Sequence, residues 1–155
     1  MKWMESAAFL LYLGLLAHFD RKTRKIPAAL ILAGSGTGLL LRLLSAFRGE
    51  LIPAALLWHY GTGLLWGLIL LLAVRPGKGA VGTGDGLCFL SFALWQDNAF
   101  VFSLLLLSLL LLALYGLLVN PGKQERFRQS LPLMPFAWVA AAGFLITELI
   151  QEALR

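Results

Sequence analysis

Charge is scarce in this chain of 155 residues. Only 14% of them are Asp, Glu, Lys or Arg, where a soluble domain carries about 25%. So few charged groups cannot coat an ordinary globular surface. The polar segments between apolar runs are also too short to build a second core, which excludes a separate soluble catalytic domain. Cysteine occurs once, as Cys88. That rules out an internal disulfide and any multi-cysteine zinc site, and leaves Cys88 as a small apolar filler. Histidine occurs twice, as His18 and His59, without metal-ligand spacing. No metal or cofactor is expected.

What the chain has instead is apolar length. Hydrophobic residues make up 59% of it, in runs that are apolar on every side, as a bilayer requires. A span needs roughly 17–25 residues. Runs of that kind extend from about Trp3 to Phe19, Pro27 to Phe47, Leu51 to Val74, Ala99 to Val119 and Pro135 to Leu149. Pro27 suits the first turn of its helix. A shorter run, Leu87 to Trp95, follows the glycine-rich stretch Arg75 to Asp85, which reads as a loop. The first run lacks the charge order of a cleaved signal peptide and reads as a true span. The expected fold is all-α, a single domain over residues 1–155 forming a polytopic membrane bundle of about six transmembrane helices.

The formal net charge of +5 suggests no nucleic-acid partner, because the basic residues sit in short loops beside apolar runs. Arg21, Lys22, Arg24 and Lys25 form one group, Arg75 and Lys78 another, and Lys123, Arg126 and Arg128 a third. Alternate loops therefore hold nine of the thirteen Lys and Arg, and the positive-inside rule makes that face cytoplasmic. Asp20 and Asp85, 65 positions apart, fall on this same face.

The short fourth run spans about 14 Å, half the hydrocarbon thickness. To reach across, it must recruit residues from the Gly82–Gly86 side, which draws Asp85 inside the membrane boundary. A carboxylate there is costly, and such residues are functional by default. Two carboxyls held close share one proton, because both cannot ionise easily. One then takes a proton from an attacking water while the other polarises a peptide carbonyl. Gly82 and Gly84 would remove side chains where a substrate backbone approaches and permit unusual backbone angles. The blander reading of Asp20 is an interfacial charge paired with Arg24 at i,i+4, and glycine runs are common in loops. Both features at span ends on one face tip the balance toward a site.

The segment Phe19-Asp20-Arg21-Lys22-Thr23-Arg24-Lys25-Ile26-Pro27 resembles the first aspartate motif of the type IV prepilin peptidases, in which Ile-Pro follows six residues after Asp. Gly82-Thr83-Gly84-Asp85 is similar to that family's Gly-x-Gly-Asp motif, and Leu131-Pro132-Leu133-Met134-Pro135-Phe136 to the proline-rich start of its last span. The resemblance covers nearly the whole chain. It implies an intramembrane aspartic endopeptidase of the inner or plasma membrane, with Asp20 and Asp85 catalytic at the cytoplasmic face. Its partner would be a prepilin or pseudopilin, whose short basic leader it removes. Two positions depart from the family pattern: Ala28 stands where Asn is common, and Leu87 where Lys is common. Both bear on substrate positioning. The paired-cysteine segment of longer members has no counterpart, so N-methyltransferase activity is not expected.

Gly34 with Gly38, and Gly63 with Gly67, have the spacing of close helix packing, within the chain or in a homodimer. Trp3, Trp95 and Trp138 suit an interfacial belt, and Arg42 could pair with Glu148. His18 points away from Asp20, since i,i+2 neighbours do not share a helix face. The basic loops would repel a basic leader, and would rather meet an acidic residue of the mature substrate. Two rival readings stay open. One is a small proton-coupled transporter using carboxylates as a relay, against which stands the absence of an internal repeat. The other is a non-catalytic scaffold derived from the peptidase.

Overall fold

The computed structural model describes residues 2–48, 53–73, 83–119 and 132–154. These form six helices: α1 Lys2–Thr23, α2 Ala28–Phe47, α3 Pro53–Ala73, α4 Thr83–Phe92, α5 Asn98–Val119 and α6 Met134–Ala153. No strand occurs among the described residues. Among the described residues, three helices are long and apolar enough to cross a membrane: Ala28–Phe47, Asn98–Leu118 and Met134–Ala153. Their outward faces carry large side chains such as Leu32, Leu40, Leu106, Leu118 and Ile146, each more than half exposed. Contiguous apolar surface on this scale suits acyl chains and not water.

The short helix α4 is the axle. Its residues Asp85, Gly86, Cys88, Phe89, Ser91 and Phe92 are buried, and it packs against α3, α2 and α5. A Cβ at Gly67 would come within 2.6 Å of the Leu90 backbone nitrogen, and one at Gly86 within 2.7 Å of Leu71 Cγ. Glycine at these two positions lets α3 and α4 approach at van der Waals distance along both their lengths. The Gly63/Gly67 spacing thus serves packing within the chain. On the other side of α4, Phe9 of α1 meets Phe92 edge to face at 5.5 Å, and Tyr12 stacks on Trp95 at 5.7 Å. The Tyr12 hydroxyl shares a buried 2.9 Å hydrogen bond with the Ser91 hydroxyl, and Trp95 Nε1 donates to the Gly34 carbonyl at 2.9 Å.

Several expectations shift in detail. Trp95 is buried inside the bundle and not on its outer surface. Arg42 pairs with Glu5 at 3.7 Å, not with Glu148, and also donates to the Trp95 carbonyl. Both acids lie at the same end of the bundle, but α1 carries Glu5 past α2 while Glu148 lines the other side of Phe9 and Phe100. The stretch read as a loop up to Asp85 ends sooner: Thr83, Gly84 and Asp85 already belong to the first turn of α4. Its helical hydrogen bonding recruits these residues against the bias of their glycines, because α3 buries the opposite face. The far end of α4 unwinds at Phe92, where Leu94 N–H turns back to the Ser91 carbonyl at 3.0 Å.

Candidate active site

Four helix ends converge on one face of the bundle: the C-terminus of α1 and the N-termini of α2, α4 and α6. Helix α1 runs three residues past Asp20 before it stops. Thr23 closes it, with its hydroxyl donating to the Phe19 carbonyl at 2.9 Å and accepting from Lys25 N–H at 3.3 Å. Arg24 then takes a left-handed conformation, φ 52°, which costs a non-glycine residue about 1–2 kcal/mol. That turn reverses the chain through Ile26 into Pro27, the extended N-cap of α2. The result is a tight hairpin that places Asp20 and Ala28 beside each other at a common opening.

That opening is a cavity of about 430 Å³, within the range of small-ligand sites. Asp20 and Asp85 both line it, with Arg24, Lys25, Thr83 and Gly84 on its polar side and Ile26, Ala28, Ile31, Leu87 and Pro132 completing the wall. Each aspartate is only 7% exposed. Two carboxyls so shielded, from segments 65 residues apart, are rare in an apolar bundle, where each costs free energy unless it is compensated.

The compensation for Asp20 comes from α6. Asp20 Oδ2 accepts the Met134 backbone N–H at 3.1 Å. Met134 opens α6, whose N-cap position is Leu133 and whose first turn has no side-chain cap of its own. Asp20 therefore caps α6 from another helix, meeting one of the four N–H groups that every helix start leaves free. The positive end of the α6 dipole reaches the carboxylate in the same contact. Asp85 lies in the first turn of α4, so its own helix favours its charge. Burial pushes the Asp20 carboxyl above its ordinary value of 3.8, and the Met134 N–H and the nearby Arg24 charge pull the other way. Cys88, fully buried one turn beyond Asp85, lies within electrostatic reach of both carboxylates.

The other expected site residues divide. Gly84 borders the cavity in helical backbone; a Cβ there would only touch Ile26 Cδ1, at 3.9 Å. It keeps the opening wide and supplies no unusual backbone angle. Gly82 lies outside the described residues. Ala28 and Leu87, the two departures from the family pattern, both face the cavity. His18 is exposed on another face of α1. The Met134 N–H escaped sequence reasoning. The signal for it was a helix start without Ser, Thr, Asp or Asn at its cap, which implies an acceptor from elsewhere. Comparison of the chain with family models, curated proteins and solved structures finds no match.

Proposed function

We propose that the chain is a polytopic membrane aspartic endopeptidase that removes the basic leader of prepilin-like proteins at the cytoplasmic face. The observation that carries this reading is the shared cavity: Asp20 and Asp85, distant in sequence and both buried, line one opening at a common end of the bundle. In the proposed reaction, one carboxylate is ionised and takes a proton from water as the oxygen attacks the scissile carbonyl carbon. The other is protonated and gives its proton to the carbonyl oxygen, so that a neutral gem-diol forms. In the collapse, the newly protonated carboxyl gives its proton to the amide nitrogen as the C–N bond breaks, the other carboxylate takes one from a gem-diol hydroxyl, and the pair again holds one proton between them. Titration then belongs to the pair.

All six helices span the bilayer in this reading, α4 with the turn that follows it. The cluster Arg21, Lys22, Arg24 and Lys25, exposed at the cavity end, supports the cytoplasmic side for that end by the positive-inside rule. The aligned motifs around Asp20, Asp85 and Pro132 supply the substrate class. Co-expression with a candidate prepilin carrying a basic leader tests it by electrophoretic mobility. The wild-type chain converts the precursor to the shorter form, while Asp20→Asn and Asp85→Asn insert normally and leave it uncut. Normal processing by either variant rejects the mechanism.

A further inference from the structure

Helix α2 packs against α4 and against the turn that follows it. Toward the far end α2 meets that turn closely: a Cβ on Gly38 would come within 2.7 Å of Trp95 Cδ1 and 3.1 Å of the Leu94 carbonyl oxygen. At the cavity end, Ala28 and Ile31 on α2 and Leu87 on α4 line the opening of about 430 Å³. The rim of that opening is of two kinds. Arg24, Lys25 and Thr83 are exposed and polar; Ala28 and Leu87 are exposed and apolar, Leu87 at 43%. One turn along α2 from Ala28 stands Leu32, 71% exposed, on a helix apolar enough to cross a membrane. The apolar rim thus adjoins the exposed apolar face of α2.

We propose that the carboxylate cavity opens sideways into the acyl chains between α2 and α4, with Ala28 and Leu87 as the two posts of the opening. Through it the apolar, membrane-embedded segment of the substrate reaches the aspartates. The second half of this proposal rests on the peptidase reading; the first does not. Water and the polar flank of the scissile bond enter past Arg24, Lys25 and Thr83. The apolar flank stays in lipid and passes Leu87. An exposed leucine at an aqueous mouth would forfeit its burial, about 25 cal/mol per Å² of apolar surface, whereas facing acyl chains it forfeits none. Leu87 touches the substrate's apolar flank and not the reacting atoms, so it sets specificity and not chemistry.

Spin labelling separates the two halves. In a Cys88→Ala background reconstituted into phosphatidylethanolamine–phosphatidylglycerol vesicles, a nitroxide is attached to Leu87→Cys, Ala28→Cys, Leu32→Cys or Lys22→Cys. Oxygen partitions into acyl chains, and a water-soluble nickel chelate does not. Labels at 87 and 28 are expected to relax with oxygen as the label at 32 does. If they follow the label at 22 and respond to nickel, the lateral opening is overturned. For the substrate, Leu87→Trp narrows the opening. It is expected to raise KM for a membrane-anchored precursor ~10-fold more than for a short soluble peptide with the same scissile bond. Equal losses on both substrates overturn lateral entry. Should the wild-type protein cut neither, the peptidase reading and substrate entry fall together, while the relaxation data still decide whether the opening exists.

Discussion

A buried carboxylate is tolerated in an apolar bundle only when something nearby meets its lone pairs, and for Asp20 that is the first N–H of α6 at 3.1 Å. Burial nevertheless raises its pKa above 3.8. The native chain then holds this proton more tightly than the unfolded chain. The stability Asp20 contributes is full below the unfolded value and declines as pH rises through the native one. Asp20→Asn is therefore expected to lose less stability than wild type as pH rises above 3.8, measured by thermal unfolding in detergent; an equal loss would contradict the shift. Arg24 acts twice on the same group. Arg24→Gly relieves left-handed strain of about 1–2 kcal/mol and removes a charge that lowers the Asp20 pKa. Its melting temperature should rise, and the acid limb of its pH–rate profile should move upward. The two aspartates were legible in the sequence because each sits where an apolar run meets a basic or glycine-rich segment. The Met134 contact was not, since a backbone donor has no residue type to betray it. Nor was the choice of Glu5 over Glu148 for Arg42, because both acids occupy one end of the bundle and only helix packing separates them.

At the scale of the helix, α4 shows how tertiary contact overrides local preference. Glycine costs about 1 kcal/mol per residue inside a helix, so the stretch up to Asp85 reads as a loop by composition, and only the shortness of the run Leu87 to Trp95 points to its recruitment. Yet Gly86 is what lets Leu71 of α3 lie against α4, and Gly67 admits Leu90 from the other side. Replacing Gly86 by Leu would place a side chain where Leu71 already packs. A loss of about 1–3 kcal/mol is expected for such overpacking, read as a lower unfolding temperature together with lost activity, since Asp85 is its neighbour. Tyr12→Phe is milder. It removes the hydroxyl bonded to Ser91 and should cost about 1 kcal/mol without changing the pH profile. The long helices needed no such correction: α2, α5 and α6 begin and end within a few residues of where hydropathy places them.

For the whole molecule, order along the chain becomes function through the up-and-down path of the helices. One end gathers Asp20, Ala28, Asp85 and Pro132 around the cavity; the other gathers Glu5, Arg42 and the Trp95 carbonyl. Hydropathy gave away the all-helical class and the apolar exterior, because both follow from composition and period. The close contact of α2 with the turn after α4 was hidden, since it depends on which glycines meet which aromatics across the bundle. Everything rests on two acid groups from remote segments facing each other. A bridging experiment reads this directly: Asp20→Cys and Asp85→Cys in the Cys88→Ala background, treated in membranes with the shortest bifunctional thiol reagents, with an Asp20→Cys, Asp97→Cys pair as control. Rapid, high-yield bridging of 20 to 85, and none of 20 to 97, is the predicted result. No bridge between 20 and 85 under conditions where each thiol reacts singly would contradict it.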